Sequence, residues 1–395
     1  MLLVGLNLRP AITSLGAVLE EVRHDLGMSG TATGLLTALP VLCFALVGAV
    51  TPALMRRLSH EKIVAASLAM LVAGLTIRPI TSLPSVFMVA STLSLTGIAV
   101  ANVVLPGLLK EYFPNRAGPV SALFGVFIAL GTSAGAALTV PAGHTIGGGW
   151  RAGLAVWSAV GALALFPWLV AAHAAGRSRH APRPSDGVRA WRSGRAWALV
   201  AFWAFQSAQA YVLFGWLPVI LQDAGHTPAE AGWLLALLSA LGVPVAFVVA
   251  AVQRRRDDHR MTTSGLMLCY VGGYIGLACH TGHLTVLWVS LLGIASGAFS
   301  LMLSLLTTRS LTSAGTDSLS AFVQSLGYLL SGGVPIVAGW LSSQTGSWRP
   351  LLIMMMVLLV PQTVAGLIAS RPWLLEQDVR DRDTHLERTP PVGRS

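Results

Sequence analysis

The sequence predicts an all-α integral membrane protein in which twelve transmembrane helices form two pseudo-symmetric six-helix bundles. Its composition excludes an ordinary soluble domain, because 54% of the residues are hydrophobic and only 11% are charged, whereas soluble domains carry about 25% charged residues. The apolar residues fall into twelve segments, and several short motifs recur about 198 positions apart. A segment that crosses lipid without partner strands must be helical, because no water is present to bond its backbone groups.

Each apolar segment approaches or exceeds the length of about 20 residues that a helix needs to cross the hydrocarbon core. The twelve predicted spans are 1–19, 31–55, 63–80, 84–109, 117–141, 151–172, 196–221, 229–252, 262–280, 284–307, 318–342 and 350–370. No basic region precedes the first span, so we expect an uncleaved first helix that acts as its own insertion signal and is short at its start.

The connections between spans are short apart from residues 173–195, which are rich in Arg, Pro, Ser and Gly and are typical of a flexible polar linker. We therefore expect an N-terminal six-helix bundle over 1–172, a cytoplasmic linker over 173–195 and a C-terminal six-helix bundle over 196–371. The remaining tail, 372–395, is charged, and we expect it to be disordered.

Motifs in the first half recur in register in the second half, which indicates an internal duplication. The matched pairs are Asp25-Leu-Gly27 with Asp223-Ala-Gly225, Gly34 with Gly232, Ser121-Ala122 with Ser320-Ala321, and Trp150-Arg151 with Trp348-Arg349. Parallel six-helix repeats of this kind form carriers whose solute lies near the membrane midplane, between the halves.

The basic residues predict the topology. With a cytoplasmic N-terminus, 21 of the 26 Lys and Arg residues fall in cytoplasmic loops, the linker or the tail. The outer loops then hold only Arg23, Arg78, Arg151 and Arg349. By the positive-inside rule both termini and the linker are expected in the cytoplasm. Because the basic residues lie between apolar segments, the positive charge does not indicate a nucleic-acid partner.

The first span contains a charged residue, Arg9, within Asn7-Leu8-Arg9-Pro10. A cation at the centre of a transmembrane helix costs roughly 2.5–3.5 kcal/mol on insertion scales and usually faces a cavity or a partner. Pro10 removes a backbone donor and is expected to kink the helix. We predict that Arg9 binds a negative or strongly dipolar solute, with Asn7 as a second candidate. Alternatively, Arg9 extends to the cytoplasmic surface, since only eight residues precede it.

Polar residues of three other spans are further candidates. Asn102 in span 4 is either a solute contact or an interhelical hydrogen bond, and Pro106 lies one turn further along the same face and is a second expected kink. In the second half, Gln206 of span 7 together with Gln324 and Tyr328 of span 11 would offer uncharged hydrogen-bonding groups opposite Arg9.

The sequence contains no constellation typical of an enzyme, and we expect no metal or cofactor. His144, His280 and His283 lack the ligand spacing of a metal site, and no Gly-rich phosphate loop indicates ATP hydrolysis. All sixteen carboxylates fall in loops, in the tail or at span edges, with Glu20 the nearest candidate for proton coupling. Uniport, exchange, coupling to a proton and coupling through a protonated solute therefore stay open.

Five motifs resemble the cyanate and 2-nitroimidazole transporter branch (CynX/NimT) of the major facilitator superfamily. They are NLRPAIT at 7–13, GIAVANVVLPGLLK at 97–110, WLP at 216–218 with DAG at 223–225, FVQSLGYLL at 322–330, and TGSW at 345–348. The resemblance implies a twelve-helix solute carrier of the bacterial inner membrane. It also implies a cytoplasmic gating loop after span 2, which keeps Arg56 and Arg57 but lacks the family's usual Gly and Asp.

We therefore predict secondary active or facilitative transport, by alternating access, of a cyanate-like, nitroimidazole-like or small carboxylate solute. We expect the protein to act as a monomer in the lipid bilayer. One alternative is efflux of drug-like compounds by the same fold, for which cavity aromatics without a required charge pairing are expected. Another is a membrane receptor or scaffold without transport.

Overall fold

The computed structural model describes residues 1–55, 58–113, 117–174, 190–253, 255–279, 282 and 284–380, and within these ranges the chain folds into helices. Eleven of the described helices are long and apolar enough to cross a membrane, and the bent pair at the start of the chain makes twelve. The predicted fold class is thus confirmed. Large apolar side chains such as Phe166, Phe247 and Val360 are 59–70% exposed, as expected for a surface that faces lipid.

The twelve spans are numbered here in chain order. The first six comprise Leu2–Asn7, Pro10–Ala17 and Leu19–Asp25 (span 1), Gly30–Met55 (span 2), His60–Ile80 (span 3), Pro84–Tyr112 (span 4), Ala117–Ile146 (span 5) and Gly149–Ala174 (span 6). The second six comprise Gly194–Asp223 (span 7), Pro228–Gln253 (span 8), Arg260–Cys279 (span 9), Thr285–Ala295 and Ala298–Thr308 (span 10), Ser313–Ser331 and Gly333–Thr345 (span 11) and Arg349–Ala369 (span 12).

Span 1 is interrupted twice. Its first two pieces meet at Leu8 and Arg9, where Arg9 has φ −120° and Pro10 begins the next piece. Because Pro10 has no N–H, the carbonyl of Leu6 loses its helical partner. Span 5 approaches that carbonyl so closely that a Cβ on Gly131 would lie 2.0 Å from the Leu6 oxygen. The second interruption, at Val18, bends the helix by 62° and extends the span to Asp25, beyond the predicted end at residue 19.

The duplicated motifs contact each other in both halves, through the Arg of the Trp-Arg pair in the first half and through the Trp in the second. In the first half, Arg151 at the start of span 6 donates to Asp25 at the end of span 1, at 2.7 Å. In the second half, the indole of Trp348, next to the start of span 12, donates to Asp223 at the end of span 7. We call this end of the molecule the Asp25 end and the opposite one the linker end.

The two halves meet along a seam formed by spans 1, 2 and 5 on one side and spans 7, 8 and 11 on the other. Small residues let the backbones approach closely near the Asp25 end, as membrane helices require. Gly30 of span 2 faces Gly339 of span 11, and a Cβ on Gly232 of span 8 would lie 2.5 Å from the Ala136 oxygen of span 5. The seam is therefore tightly packed on the Asp25 side of Arg9.

The start of the tail differs from the predicted disorder of 372–395. Trp373 is 5% exposed and Leu375 is fully buried, and residues 375–380 are helical. The carboxylate of Glu376 accepts hydrogen bonds from the Ser310 hydroxyl at 2.7 Å and the Leu311 amide at 3.1 Å. The tail is therefore ordered at least to residue 380, because two apolar side chains and a capping carboxylate attach it to the linker end of the second bundle.

Candidate solute site between the two bundles

Arg9 points across the seam. The helix interruption at Leu8 and Arg9 turns its side chain toward the second half, where Nη1 donates to the Tyr211 hydroxyl of span 7 at 3.3 Å. The guanidinium carbon also lies 5.9 Å from the ring centroid of Phe44 in span 2. The side chain is partly buried. Of the two alternatives drawn from the sequence, the structure shows the cation inside the bundle and not at the surface.

Aromatic rings from both halves surround this cation. Tyr328 of span 11 stacks on Phe44 with ring centroids 5.4 Å apart. It also makes a T-shaped contact with Trp203 of span 7, with ring centroids 5.6 Å apart. We call Arg9, Phe44, Trp203, Tyr211 and Tyr328 the seam cluster. Ring faces attract a cation by about 0.5–2 kcal/mol but do not neutralise it.

Within the described ranges, no carboxylate pairs with Arg9. The ion pairs of the described residues lie at the ends of the spans, as in Arg23 with Glu20, Arg151 with Asp25 and Arg260 with Asp258. A charge removed from water needs a partner, because the desolvation cost is several kcal/mol per ion. The seam cluster therefore combines a positive charge that has no described carboxylate partner with buried or partly buried aromatic rings from both halves.

Gln206 belongs to a different polar network, inside the second bundle. Its amide oxygen accepts from Gln362 at 2.8 Å and its amide nitrogen donates to the Tyr270 hydroxyl at 2.8 Å. Gln209 continues the network to Gln362 and to the Tyr274 hydroxyl. The structure therefore does not bring Gln206 to Arg9, because its amide is used in joining spans 7, 9 and 12.

The two predicted asparagines also make contacts within the protein. Asn7 is 2% exposed, and its amide donates to the Leu3 carbonyl at 2.8 Å and to the Val160 carbonyl of span 6 at 3.4 Å. It faces the interior of the first bundle, as expected for a residue two positions from Arg9 on a helix. Asn102 is partly buried and donates to the Ile98 carbonyl of its own helix at 3.1 Å.

Gln324 lies one helical turn before Tyr328 on span 11 and is partly exposed. Its amide has no hydrogen-bond partner in the part of the chain that the structure describes, so it stays a candidate contact for a solute. Arg56 and Arg57 lie outside the described residues. Pro106 lies within the helix Pro84–Tyr112, but its side chain is outside the described set.

The sequence analysis missed three residues of importance. Tyr211 and Phe44 were not selected because aromatic residues in apolar spans usually pack or face lipid. Arg78 was assigned to an outer loop because it lies two residues from the end of span 3, yet it is fully buried. Its Nε donates to the Ser91 hydroxyl of span 4 and its Nη1 to the Ala11 carbonyl of span 1, both at 2.9 Å.

Two six-helix bundles, meeting at a seam that holds a cation without a carboxylate partner among the described residues, are the architecture expected of a membrane carrier. The chain belongs to the Major Facilitator Superfamily, whose model matches residues 2–330. This assignment confirms the family inferred from the sequence motifs, and transport by alternating movement of two bundles is the mode of action of this family.

Three bacterial relatives are similar over nearly their whole length. The chain is 31% identical to an uncharacterized transporter, YycB, of Bacillus subtilis (strain 168), covering 97% of this chain and 96% of the relative. It is 31% identical to the 2-nitroimidazole transporter of Escherichia coli (strain K12), with 94% of each covered. It is 30% identical to the cyanate transport protein CynX of the same organism, covering 88% of this chain and 90% of the relative.

The fold is also that of a solved sugar carrier. The structure of a D-xylose–proton symporter superposes with a TM-score of 0.77, covering 95% of this chain and 97% of the symporter at 11% identity. At that identity the likeness concerns the fold alone.

Proposed function

We propose that the protein carries a small, flat solute with an anionic or nitro group, and that the solute binds Arg9 between the two bundles. The observation that supports this most is the position of Arg9, which lies inside the seam without a carboxylate partner among the described residues and against aromatic rings from both halves. A guanidinium presents donors in a rigid fork that matches carboxylate, nitro or cyanate groups.

The rings of the seam cluster narrow the chemistry of the solute. Phe44 and Tyr328 stack in a slightly tilted arrangement, and Trp203 meets Tyr328 edge-on. Such faces bind a planar ring better than an aliphatic chain, because aromatic pairs gain about 0.5–1.5 kcal/mol beyond their buried area. Nitroaromatic compounds and aromatic carboxylates therefore fit best, and cyanate fits as a smaller member. The names of the two Escherichia coli relatives agree with this range.

Contacts from both halves would couple solute binding to transport. Arg9 and Phe44 belong to the first bundle, and Tyr211 and Tyr328 to the second. A solute held by both groups stabilises the state in which the bundles close around it, and its release lets them separate at one end. Gln324 would supply a neutral hydrogen bond from the second bundle, and Arg56 and Arg57 would act at the cytoplasmic gate.

The remaining features of the proposal concern the cellular setting. Both termini and the linker would lie in the cytoplasm of a bacterium, with the protein in the inner membrane as a monomer. Among the described residues no carboxylate lies in the middle of a span. Uniport, exchange or movement of a protonated solute are therefore preferred over coupling to a proton on the protein.

Flux in proteoliposomes tests the proposal. Cyanate, benzoate and 2-nitroimidazole form the test panel, and Arg9→Gln is compared with Arg23→Gln, a control arginine paired with Glu20 at the Asp25 end. We expect Arg9→Gln to lower flux of the transported compound by about 10- to 100-fold, since one or two charged hydrogen bonds are each worth about 1.5–3 kcal/mol. Arg23→Gln should retain wild-type flux. Undiminished flux in correctly folded Arg9→Gln would refute the assigned role.

The aromatic seam cluster also favours a second function, efflux of drug-like compounds. Such a carrier would move bulky aromatic compounds, including cations, without using Arg9. Flux of a lipophilic aromatic cation such as ethidium, undiminished by Arg9→Gln, would support this function. If flux is restricted to cyanate, benzoate or 2-nitroimidazole and is lost in Arg9→Gln, the efflux function is excluded.

A further inference from the structure

A second arginine lies buried in the first bundle without an ion-pair partner among the described residues. Arg78 of span 3 is fully buried. Two of its nitrogens have partners, Ser91 and the Ala11 carbonyl, but both partners are neutral. Its Nη2 is buried and has no hydrogen-bond partner among the described residues. No described carboxylate forms an ion pair with it, and the ring centroid of Phe87 lies 5.9 Å from its guanidinium carbon.

The Arg78 side chain borders a small cavity that leads toward the seam cluster. The free space is about 10 Å³, roughly the room that one water-sized group requires. Its lining includes both Arg78 and Tyr211, together with Leu36 and Thr37 of span 2 and Gly215 of span 7. Tyr211 is the residue that holds Arg9, so this cavity places the second cation next to the proposed site, on its Asp25 side.

We propose that Arg78 is a second anion contact, which holds the solute on the Asp25 side of Arg9 as it moves through the seam. The proposal deepens the proposed function and rests on it. In the described conformation the Asp25 end is tightly packed and the cavity admits only a water-sized group. When spans 1 and 2 separate from span 7, the same walls open and present the free Nη2 to an incoming anion.

Two cations in succession make physical sense for an anion carrier. A buried anion is costly at every step of its path, and a positive charge lowers that cost where it lies. The hydrogen bond from Arg78 to Ala11 also joins this second contact to the piece of span 1 that follows Arg9. The short helix Pro10–Ala17 therefore connects Arg78 to Arg9, the next contact of the solute in this proposal.

Exchange kinetics test the proposal, with cyanate, benzoate and 2-nitroimidazole as the probes. For the probe with the highest Arg9-dependent flux, we expect Arg78→Gln to raise the half-saturating concentration about tenfold or more, while Arg23→Gln leaves it unchanged. A lower maximal rate with an unchanged half-saturating concentration would overturn the proposal and make Arg78 a structural residue. Should Arg78→Gln fail to fold, Arg78→Met, which likewise removes the charge, is judged by the same criterion.

A labelling experiment measures the attraction of anions directly. In a background with Cys43, Cys269 and Cys279 replaced by serine, Thr37→Cys places a thiol in the cavity wall. We expect an anionic methanethiosulfonate reagent to react faster than a cationic one, and this ratio to fall several-fold when Arg78→Gln is added. An unchanged ratio would contradict the proposal.

The two proposals fail in different ways. If no member of the panel shows Arg9-dependent flux, the proposed function itself is wrong. If Arg9→Gln abolishes flux while Arg78→Gln changes neither the half-saturating concentration nor the labelling ratio, only the second contact is wrong.

Discussion

The Arg9 guanidinium of span 1 donates a hydrogen bond of 3.3 Å to the Tyr211 hydroxyl of span 7, and this contact joins the two bundles at the proposed site. Each bundle thus contributes one partner of this polar pair. A solute that binds Arg9 competes with or adds to this hydrogen bond, so a change in the Arg9–Tyr211 contact should change the affinity for the solute.

Removing the hydroxyl tests that relationship. Tyr211→Phe keeps the ring and its packing but removes the acceptor for Arg9. A neutral hydrogen bond is worth about 1 kcal/mol, so we expect the half-saturating solute concentration to change by roughly 2- to 10-fold with little loss of stability. Tyr112→Phe, which removes an exposed tyrosine hydroxyl that donates to Glu61, is the matched control. Equal kinetics in the two variants would show that the Arg9–Tyr211 contact plays no part in transport.

The geometry of Arg9 is tested by Arg9→Lys. Lysine keeps the positive charge but replaces the planar fork with a single ammonium group. We expect flux at least about tenfold below wild type, because a two-point contact to a carboxylate or nitro group is lost. A fully active lysine variant would mean that charge alone is recognised. Protein amount in the membrane, measured for each variant, serves as the control.

The two glutamine environments predict opposite phenotypes. Gln362→Leu leaves the Gln206 oxygen without its donor inside the second bundle, and a buried unsatisfied group costs about 1–3 kcal/mol. We expect a lower unfolding temperature in detergent and an unchanged half-saturating concentration. Gln324→Leu should instead raise the half-saturating concentration and leave stability unchanged. The exposed Gln344→Leu is a neutral reference, and a reversal of the two patterns would exchange their assigned roles.

Span 5 supplies a matched pair of glycines to test the packing of span 1. A Cβ on Gly131 would lie 2.0 Å from the Leu6 carbonyl oxygen, whereas a Cβ on Gly125 would meet nothing within 4 Å. Overpacking of this kind costs about 1–3 kcal/mol. We expect Gly131→Ala to lower the unfolding temperature and to impair flux by displacing the helix interruption at Arg9, whereas Gly125→Ala should behave as wild type. Normal stability and flux in Gly131→Ala would show that span 1 tolerates the displacement.

Attachment of residues 372–380 should depend on pH. Partial burial raises the pKa of Glu376, but hydrogen bonds from Ser310, Leu311 and Thr312 outweigh it, so that the net pKa is lowered. The stabilisation is therefore fully present above the unfolded-state pKa of about 4.3 and is lost as the pH falls through the folded-state value. We expect hydrogen exchange of 372–380, compared with that of span 12, to rise in acid. Glu376→Gln should show faster exchange already at neutral pH; protection equal to wild type there would exclude a role for the carboxylate.

The sequence pattern located one residue of the seam cluster in advance and missed others. Arg9 was identified because a charge in an apolar span is conspicuous whatever the fold. Gln206 was selected on the same principle, yet its amide faces spans 9 and 12, because a polar residue on a helix can point to the seam or to the bundle interior. Phe44 gave no signal, and Tyr211 was noticed only as a neighbour of Gln206, since an aromatic side chain in an apolar span does not stand out from the surrounding apolar residues.

Arg78 shows a different limitation. Its position two residues before the end of span 3 favoured an outer loop, and the positive-inside count treated it so. In the structure its long side chain extends back into the bundle, where it donates hydrogen bonds to the Ser91 hydroxyl and the Ala11 carbonyl. Distance along the chain from a span end does not indicate where a flexible side chain of this length finds its partners.

The amino-acid sequence by itself determined the twelve spans, the repeat and the family, because hydropathy and motif spacing are properties of the chain read in one dimension. Tertiary structure decided which polar groups share the seam, where span 1 breaks, and that two arginines stand in the first bundle without a described carboxylate partner. Those features depend on the rotation of each helix about its axis and on close packing between distant segments, and both are set only when all the helices are assembled.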